Sequence, residues 1–350
     1  MTAVTDLRAG AQRRPRPGPL ERGRALYLPA MRQAVARLEP TSRAVASYHL
    51  GWSDPQGRPA EGGGGKALRP ALALLSAQAV GAPAETGLPG AVAVQLVHDF
   101  SLLHDDLMDR DVERRHRPTA WVVFGAGPAV LAGDAMLALA QDVLLEGGDA
   151  RAVAAARLLA RTVGELVRGQ SADLAFESRH DVGLGECLDM AAGKTGALLA
   201  ASAAVGAVLA GAETREVEAL SAYGECVGLA FQLVDDLLGI WGDPATTGKP
   251  VLADLRARKK SLPVTYALSE KDRNAEQLKE WLATDPADDD EASLRHAAAL
   301  VERAGGRDWA AEEADRQVGL AEAALDSADL VDPARTELVE LARSLVSRRF

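Results

Sequence analysis

Acidic side chains and a histidine lie close together in residues 96–119, a stretch whose first half has helical spacing. Asp105 and Asp109 are four residues apart, so they share one face of a helix. His98 lies two turns before Asp105, on nearly the same stripe. Neighbouring carboxylates repel each other unless a cation lies between them. Oxygen ligands on one face suit Mg²⁺, which usually also takes oxygens from substrate phosphates.

Two arginines follow these carboxylates at once, Arg114 and Arg115. Guanidinium groups bind phosphate through paired N–H donors, which a lysine cannot supply in the same geometry. The combination of carboxylates and arginines therefore predicts a site for a phosphorylated substrate held together with a metal.

A second acidic stretch, residues 231–263, repeats this arrangement. Gln232 and Asp236 are four residues apart, and Asp243 lies near the same face if the helix continues that far. Lysines follow at positions 249, 259 and 260. Two such helices facing each other across a cavity would hold several Mg²⁺ ions and a diphosphate between them.

The elements that must position these groups are helices. Apolar residues recur with helical periodicity along most of the chain, glycine and proline clusters separate the segments, and strand signals are poor. The predicted helical segments are 67–80, 91–111, 128–145, 150–178, 184–211, 216–241, 261–268, 274–282, 293–303 and the residues after 308. The sequence predicts an all-α fold, a single large helical bundle with a central cavity.

Composition agrees with this prediction. Hydrophobic residues make up 47% of the 350 and aromatic residues 4%, which suits close-packed helices rich in alanine and leucine. The formal net charge of −11 argues against a nucleic-acid-binding protein. The acidic run at 285–292 is predicted to be a surface loop, because no basic partner accompanies it.

The chain is predicted to form one domain over residues 23–350, preceded by a disordered tail at 1–22. The tail is rich in arginine and proline and lacks the apolar core of a secretory signal. The longest uncharged run, 197–212, is short for a membrane span and is predicted to be a buried core helix. Two cysteines make neither a disulfide framework nor a zinc site, which favours a cytoplasmic location.

Several motifs occur in an order that resembles the trans-type polyprenyl diphosphate synthases of isoprenoid synthase class I. The stretch LVHDFSLLHDDLMD (96–109) resembles the family's first aspartate-rich motif, and FQLVDD (231–236) its second. The other matching segments are GGGGKALRP (62–70), RRHRPT (114–119), GQSADL (169–174), KTG (194–196) and KKSLP (259–263). The resemblance covers residues 48–263 and implies the helical fold of that family.

The reaction implied by the resemblance is a head-to-tail condensation. An allylic diphosphate loses its diphosphate, isopentenyl diphosphate attacks the allylic cation, and a proton then leaves. The leaving diphosphate is the implied base. Ionisation requires that the charge of the leaving group be stabilised, which metals and basic side chains do. The cavity must also exclude water, which would otherwise quench the cation.

Site residues are likewise implied by the resemblance, together with three Mg²⁺ ions. The implied ligands of two ions are Asp105, Asp106 and Asp109, and those of the third are Asp235 with Asp236 or Asp243. Side chains implied to contact or orient the allylic diphosphate are Arg114, Lys194, Thr195, Gln232, Lys249 and Lys259. Those implied to bind isopentenyl diphosphate are Lys66, Arg69, His98 and Arg115.

The chain departs from the family pattern in four places. The first is Gln95, where the family commonly has an acidic residue. Gly239 stands where the second motif usually has its third aspartate, and Asp243 is a candidate substitute. His116 and Arg258 stand where the family usually has glycine. The family's pocket floor corresponds to Phe100 and Ser101, about 7.5 Å of helix from the first aspartate. One aromatic residue beside a small one implies geranylgeranyl diphosphate as the product, with farnesyl diphosphate as the alternative.

Three other functions fit the sequence less well than prenyl condensation. A terpene cyclase of the same fold usually carries an Asn-x-x-x-Ser/Thr-x-x-x-Glu triad, which this chain with its single asparagine lacks. A non-catalytic partner subunit predicts eroded aspartates, yet the first motif is complete. A di-iron bundle needs two Glu-x-x-His pairs on facing helices, and Glu113–His116 and Glu177–His180 fall at helix ends or loops. The resemblance also implies a homodimer.

Overall fold

The computed structural model describes residues 18–60, 67–179, 181–243, 251–284 and 290–346. The regular elements of these residues are helices, apart from a hairpin of two very short strands. The first half contains α1 (Pro19–Val35), α2 (Pro40–His49), α3 (Leu68–Ala79), a 3₁₀ turn (Ala84–Gly87), α4 (Leu88–Met108), β1 (Glu113–Arg114), β2 (Arg117–Pro118), α5 (Ala120–Phe124), α6 (Ala126–Leu145) and α7 (Ala150–Glu177).

The second half contains α8 (Leu184–Ala191), a π-helical turn (Ala192–Gly196), α9 (Ala197–Ala210), α10 (Thr214–Trp241), α11 (Ala253–Arg256), α12 (Leu262–Ser269), α13 (Arg273–Leu282), α14 (Glu291–Arg303), α15 (Gly306–Asp326) and α16 (Ala334–Val346). The predicted all-α fold is therefore confirmed. The hairpin was not predicted.

Four helices form the centre of the bundle: α3, α4, α9 and α10. Helix α3 packs against α4 and α9, and α10 packs along α9 and α15. Nine of the twelve residues of α3 are buried, so this helix is apolar around most of its circumference. Within these helices, the residues of the two acidic motifs lie near the C-terminal ends of α4 and α10.

Helix boundaries differ from the sequence prediction at two points near the proposed site. Helix α4 ends at Met108, so Asp109 is its C-terminal cap and not a residue within it. Helix α10 ends at Trp241, and Gly242 leaves the helical conformation with ψ 145°. The condition that would place Asp243 on the face of Asp236 is therefore not met.

The N-terminal boundary also differs. Helix α1 begins at Pro19, whereas the sequence placed the end of the tail at residue 22. Proline suits the first turn of a helix because its missing N–H has no partner there anyway. Arg22 in this helix donates a 2.5 Å hydrogen bond to Glu337 of α16, so these residues pack on the domain. Residues 1–17 lie outside the described part.

Two helical stretches, Ala126–Leu145 and Leu184–Ala210, are long and apolar enough to cross a membrane by length and composition alone. Within the molecule, 44% and 61% of their most apolar windows are buried. Partial burial of this kind is also found in core helices of water-soluble proteins, so the two stretches are weak evidence for a span.

Candidate active site

The first aspartate-rich motif lies at the C-terminal end of α4. Asp106 is 1% exposed and its Oδ1 accepts a 2.5 Å hydrogen bond from Nε of Arg114. Its Oδ2 is buried without a hydrogen-bond partner. Burial raises the pKa of Asp106 although Arg114 opposes the rise. Partial desolvation, and then the charge of Asp105, raise the pKa of Asp109 to about 6.

The β1–β2 hairpin positions the arginine pair. Arg115 and His116 form its two-residue loop with φ values of 54° and 59°, the left-handed conformation that such tight hairpins require. Glycine is the usual residue in this conformation, which accounts for the family preference at position 116. Arg114 pairs with Asp106, and both arginines line one cavity with this aspartate. Arg115 also lines a further cavity that Arg114 does not reach.

Lys194 lies in the π-helical turn between α8 and α9 and joins two acidic segments. Its Nζ is 3.2 Å from Oδ1 of Asp105 and 2.6 Å from Oδ2 of Asp173 on α7. Burial alone would lower the pKa of Lys194, but these two carboxylates outweigh it and raise the pKa. Sequence reasoning assigned no role to Asp173, although the GQSADL motif that contains it was a signal.

Gly169 makes this approach possible. A Cβ at this position would lie 2.8 Å from both the carbonyl carbon of Gly193 and Cα of Lys194, and closer still to the amide nitrogen of Lys194. The backbone of α7 therefore touches the π-helical turn directly, which brings Asp173 within reach of the lysine. Single π-helical turns occur frequently at functional sites.

The second motif is held by a chain of hydrogen bonds. Thr195 Oγ1 donates to Oε1 of Gln232 (2.7 Å), and Nε2 of Gln232 donates to Oδ1 of Asp236 (2.8 Å). Oδ2 of Asp236 accepts the backbone N–H of Leu262 (2.9 Å) at the start of α12. Asp236 is 2% exposed, and burial raises its pKa to about 6.

These contacts revise the expected role of Asp236. Both of its oxygens are already engaged, and Nζ of Lys259 lies 3.6 Å from Oδ1. Asp235, in contrast, is exposed on the neighbouring position of α10. We therefore assign Asp236 to positioning Gln232, Lys259 and α12 rather than to metal ligation, and keep Asp235 as the candidate ligand. Lys66 and Lys249 lie outside the described residues.

Basic side chains, and no carboxylate, line a cavity of about 290 Å³ beside the first motif. Arg69, His98 and Arg115 face it, together with Tyr27 and Phe231. Nε of Arg69 is buried without a partner, and burial lowers the pKa of this arginine to about 10. Burial, and then the charge of Arg69, lower the pKa of His98 well below its usual value.

A buried carboxylate that was not predicted from the sequence, Asp99, lies next to these basic side chains. Asp99 is 2% exposed, accepts a hydrogen bond from Nε2 of Gln95 (2.8 Å) and lies 3.7 Å from Nε2 of His49. Burial would raise the pKa of Asp99, but the neighbouring histidines His49 and His98 outweigh it and lower the pKa. No motif in the sequence indicated this pair, because His49 lies fifty residues away.

A second cavity of about 330 Å³ runs from Asp105 and Lys194 toward Phe100 and Ser101. Phe100 packs edge-on against His104 with ring centroids 5.4 Å apart, and Nε2 of His104 lies 3.0 Å from the carbonyl oxygen of Val130 on α6. Arg69 and His98 line this cavity as well as the cationic one. The two cavities therefore meet at these two side chains.

The donor set fits metals that also bind a phosphorylated ligand. Among the described residues, no group of three or more histidine, cysteine, aspartate or glutamate side chains could hold a metal ion by itself. The unpartnered Oδ2 of Asp106 and the raised pKa of Asp109 both fit carboxylates that could accept a metal ion. The di-iron alternative fails because Glu113 and His116 lie in the hairpin and not on a helix.

Comparisons with known proteins agree with this geometry. The sequence model of the family described as polyprenyl synthetase matches residues 60–300. A (2E,6E)-farnesyl diphosphate synthase of Mycobacterium tuberculosis is 53% identical over 93% of this chain and 91% of its own length. A geranylgeranyl diphosphate synthase of the same organism is 43% identical over 88% of each chain. The crystal structure of a polyprenyl synthetase from Streptomyces coelicolor superposes with a TM-score of 0.90, at 53% identity, over 93% of this chain and 98% of that one.

Proposed function

This chain belongs to the polyprenyl synthetase family, and from that premise we propose that it condenses isopentenyl diphosphate with an allylic diphosphate. The product is a short linear trans-polyprenyl diphosphate. The observation that carries this proposal is the meeting of two cavities at Arg69 and His98. One cavity is lined by the Asp105 carboxylate, Lys194 and several apolar side chains, and the other by two arginines and a histidine without a carboxylate.

The first cavity suits the allylic substrate. Asp105, Asp106, Asp109 and Asp235 would hold Mg²⁺, which when bound neutralises the charge of the leaving diphosphate. Three ions remain the proposed number. Lys194 now pairs with Asp105 and Asp173, and Lys259 with Asp236. Both lysines can donate to phosphate oxygens once the carboxylates are compensated by metal, while Thr195 holds Gln232 in place beside them.

The second cavity suits isopentenyl diphosphate. Arg69 and Arg115 offer guanidinium donors that no carboxylate saturates, and His98 stays neutral, so it can donate one hydrogen bond without adding charge. Cations in place of carboxylates favour a diphosphate that binds without metal. Substrates bound in the two cavities would lie side by side at Arg69 and His98, which is the arrangement that head-to-tail condensation requires.

The proposed product is geranylgeranyl diphosphate, with farnesyl diphosphate as the second candidate. Phe100 and the small Ser101 line the first cavity, and we propose that they set the depth available to the growing chain. Farnesyl diphosphate is favoured instead by the 53% identical relative that bears that name. A cyclase reaction is a third outcome to test, because it would use the first cavity alone.

A homodimer in the cytoplasm is proposed for the intact enzyme. Large apolar side chains are exposed on adjacent helices, including Leu131 on α6 (64%) and Val167 on α7 (52%). Contact between two copies would cover such residues. Light scattering after gel filtration gives the mass directly, and a monomer at micromolar concentration would contradict the proposal.

Product analysis tests the function. Purified protein is incubated with Mg²⁺, labelled isopentenyl diphosphate and dimethylallyl, geranyl or farnesyl diphosphate in separate reactions, and the products are dephosphorylated and sized. A linear twenty-carbon alcohol supports the first candidate, and a fifteen-carbon one supports the second. A cyclic hydrocarbon formed without isopentenyl diphosphate, or no turnover, would refute the proposed condensation.

A further inference from the structure

The second aspartate motif lacks a side chain at its third position, Gly239. Helical spacing places Gly239 one turn after Asp235 and two turns after Gln232, on the side of α10 that bears the polar residues of the site. Asp243 does not fill this gap, because α10 ends at Trp241. The described part of the second motif thus contributes one available carboxylate, Asp235.

The carboxylate of Asp254 occupies the space that a side chain at residue 239 would take. A Cβ built on Gly239 would lie 2.5 Å from Cγ of Asp254 and 2.8 Å from its Oδ1, with Oδ2 closer still. These separations are far below van der Waals contact. A residue with a side chain therefore cannot stand at position 239 unless Asp254 moves.

The surroundings of Asp254 match those of a site carboxylate. Its Oδ2 is 4.0 Å from Nζ of Lys259, whose other near carboxylate is Asp236. Asp173 and Asp235 act on the same lysine through their charge. Asp236 is engaged by Gln232 and Leu262, whereas the carboxylate of Asp254 lies against position 239, one helical turn after Asp235.

We propose that Asp254 supplies the carboxylate missing at Gly239, so that Asp235 and Asp254 together contact the metal and diphosphate on this side of the cavity. The absence of a side chain at Gly239 then leaves room for Asp254, and the metal site keeps its number of carboxylates. This inference rests on the proposed function for the identity of the ligand. It predicts that restoring the usual aspartate at 239 harms the site unless Asp254 is removed at the same time.

The test is an exchange of the carboxylate between the two positions. The variants are Asp254→Ala, Gly239→Asp and the double variant Gly239→Asp/Asp254→Ala, with the exposed Glu280→Ala as a control for loss of one charge. Binding of Mn²⁺ in the presence of inorganic diphosphate is measured from the electron paramagnetic resonance signal of free Mn²⁺. Thermal unfolding of each variant reports whether it is folded.

Each single variant should weaken the binding of the weakest Mn²⁺ about tenfold or more, whereas Glu280→Ala should not. The double variant should recover binding to within about threefold of wild type, because the carboxylate returns to the same volume. Wild-type binding by Asp254→Ala, or no recovery in a folded double variant, would overturn the inference. Wild-type protein that binds Mn²⁺ and diphosphate but forms no prenyl product would instead refute the proposed function alone.

Discussion

Replacing Phe100 with alanine should lengthen the product. Phe100 is 6% exposed, its ring lines the cavity proposed for the allylic substrate, and it packs edge-on against His104. On the same side of α4, the residues one turn earlier are Leu96 and Val97, both fully buried. Without the ring these side chains become the floor, which deepens the cavity by about one helical turn, ~5.4 Å.

One added five-carbon unit needs a similar length. Its four main-chain carbons span about 5 Å, because C–C bonds of about 1.5 Å run in a zigzag. We therefore expect the main product to grow by at least one such unit. The assay is chromatography of the dephosphorylated products made from farnesyl diphosphate and labelled isopentenyl diphosphate, at equal total incorporation of label.

Loss of stability must be separated from loss of the cavity floor. Truncating a buried phenylalanine costs about 3–5 kcal/mol of unfolding free energy, and we expect the lower end because one side of the Phe100 ring already faces the cavity. Phe176 is equally buried, at 6%, but lies in a separate apolar cluster away from that cavity. Phe176→Ala is thus a matched control. If both variants lose stability and neither changes product length, Phe100 does not set the length.

Three further predictions concern the charged groups. Gly169→Ala should lower the unfolding free energy by about 1–3 kcal/mol and turnover about 100-fold, because its Cβ would push Lys194 away from Asp173. Gly164→Ala is the control, since nothing lies within 4 Å of a Cβ at that position. Equal turnover in the two variants would contradict the predicted role of Gly169. The folded pKa of His98 is lowered, so below pH 6.5 the unfolded state takes up a proton that the native state excludes, and the unfolding free energy of the wild type should fall by up to about 1.4 kcal/mol for each pH unit. His98→Gln should not show this part of the fall. Urea titrations at pH 7 and pH 5 measure the difference. A parallel fall in both proteins would refute it. Chelation with EDTA should abolish turnover and added Mg²⁺ restore it without change in circular dichroism; turnover that survives chelation would contradict the metal site.

The sequence predicted the helices that carry the site, because α4 and α10 have strong apolar periodicity beside their acidic residues. It also predicted that Asp105 and Lys194 belong to one site, through the family motifs. It did not predict that Lys194 bridges Asp105 to Asp173, since that contact depends on the close approach of α7 at Gly169. Contacts between distant segments of this kind follow from packing and leave no periodic pattern.

The directions of the Asp235 and Asp236 side chains were also not predictable from the sequence. The family resemblance implied Asp235 together with Asp236 or Asp243 as ligands of one metal ion, yet neighbouring residues on a helix point about 100° apart. In the structure Asp236 turns inward to Gln232 and the start of α12, and Asp235 stays exposed. The difference depends on where α12 begins, which the sequence of α10 does not contain.

Gly239 is a further position where proximity in space differs from proximity along the sequence. Along the sequence, a missing aspartate suggests a weakened site, and Asp243 was the nearest acidic substitute. In space, Asp254 reaches the volume from a segment that also carries Lys259, and the backbone N–H of Lys259 donates a 2.9 Å hydrogen bond to the carbonyl oxygen of Asp254. A carboxylate on α10 would be fixed to that long helix. A carboxylate on this short segment is instead coupled to the lysine that is proposed to receive the diphosphate, so a shift of Lys259 toward a phosphate oxygen would carry Asp254 with it.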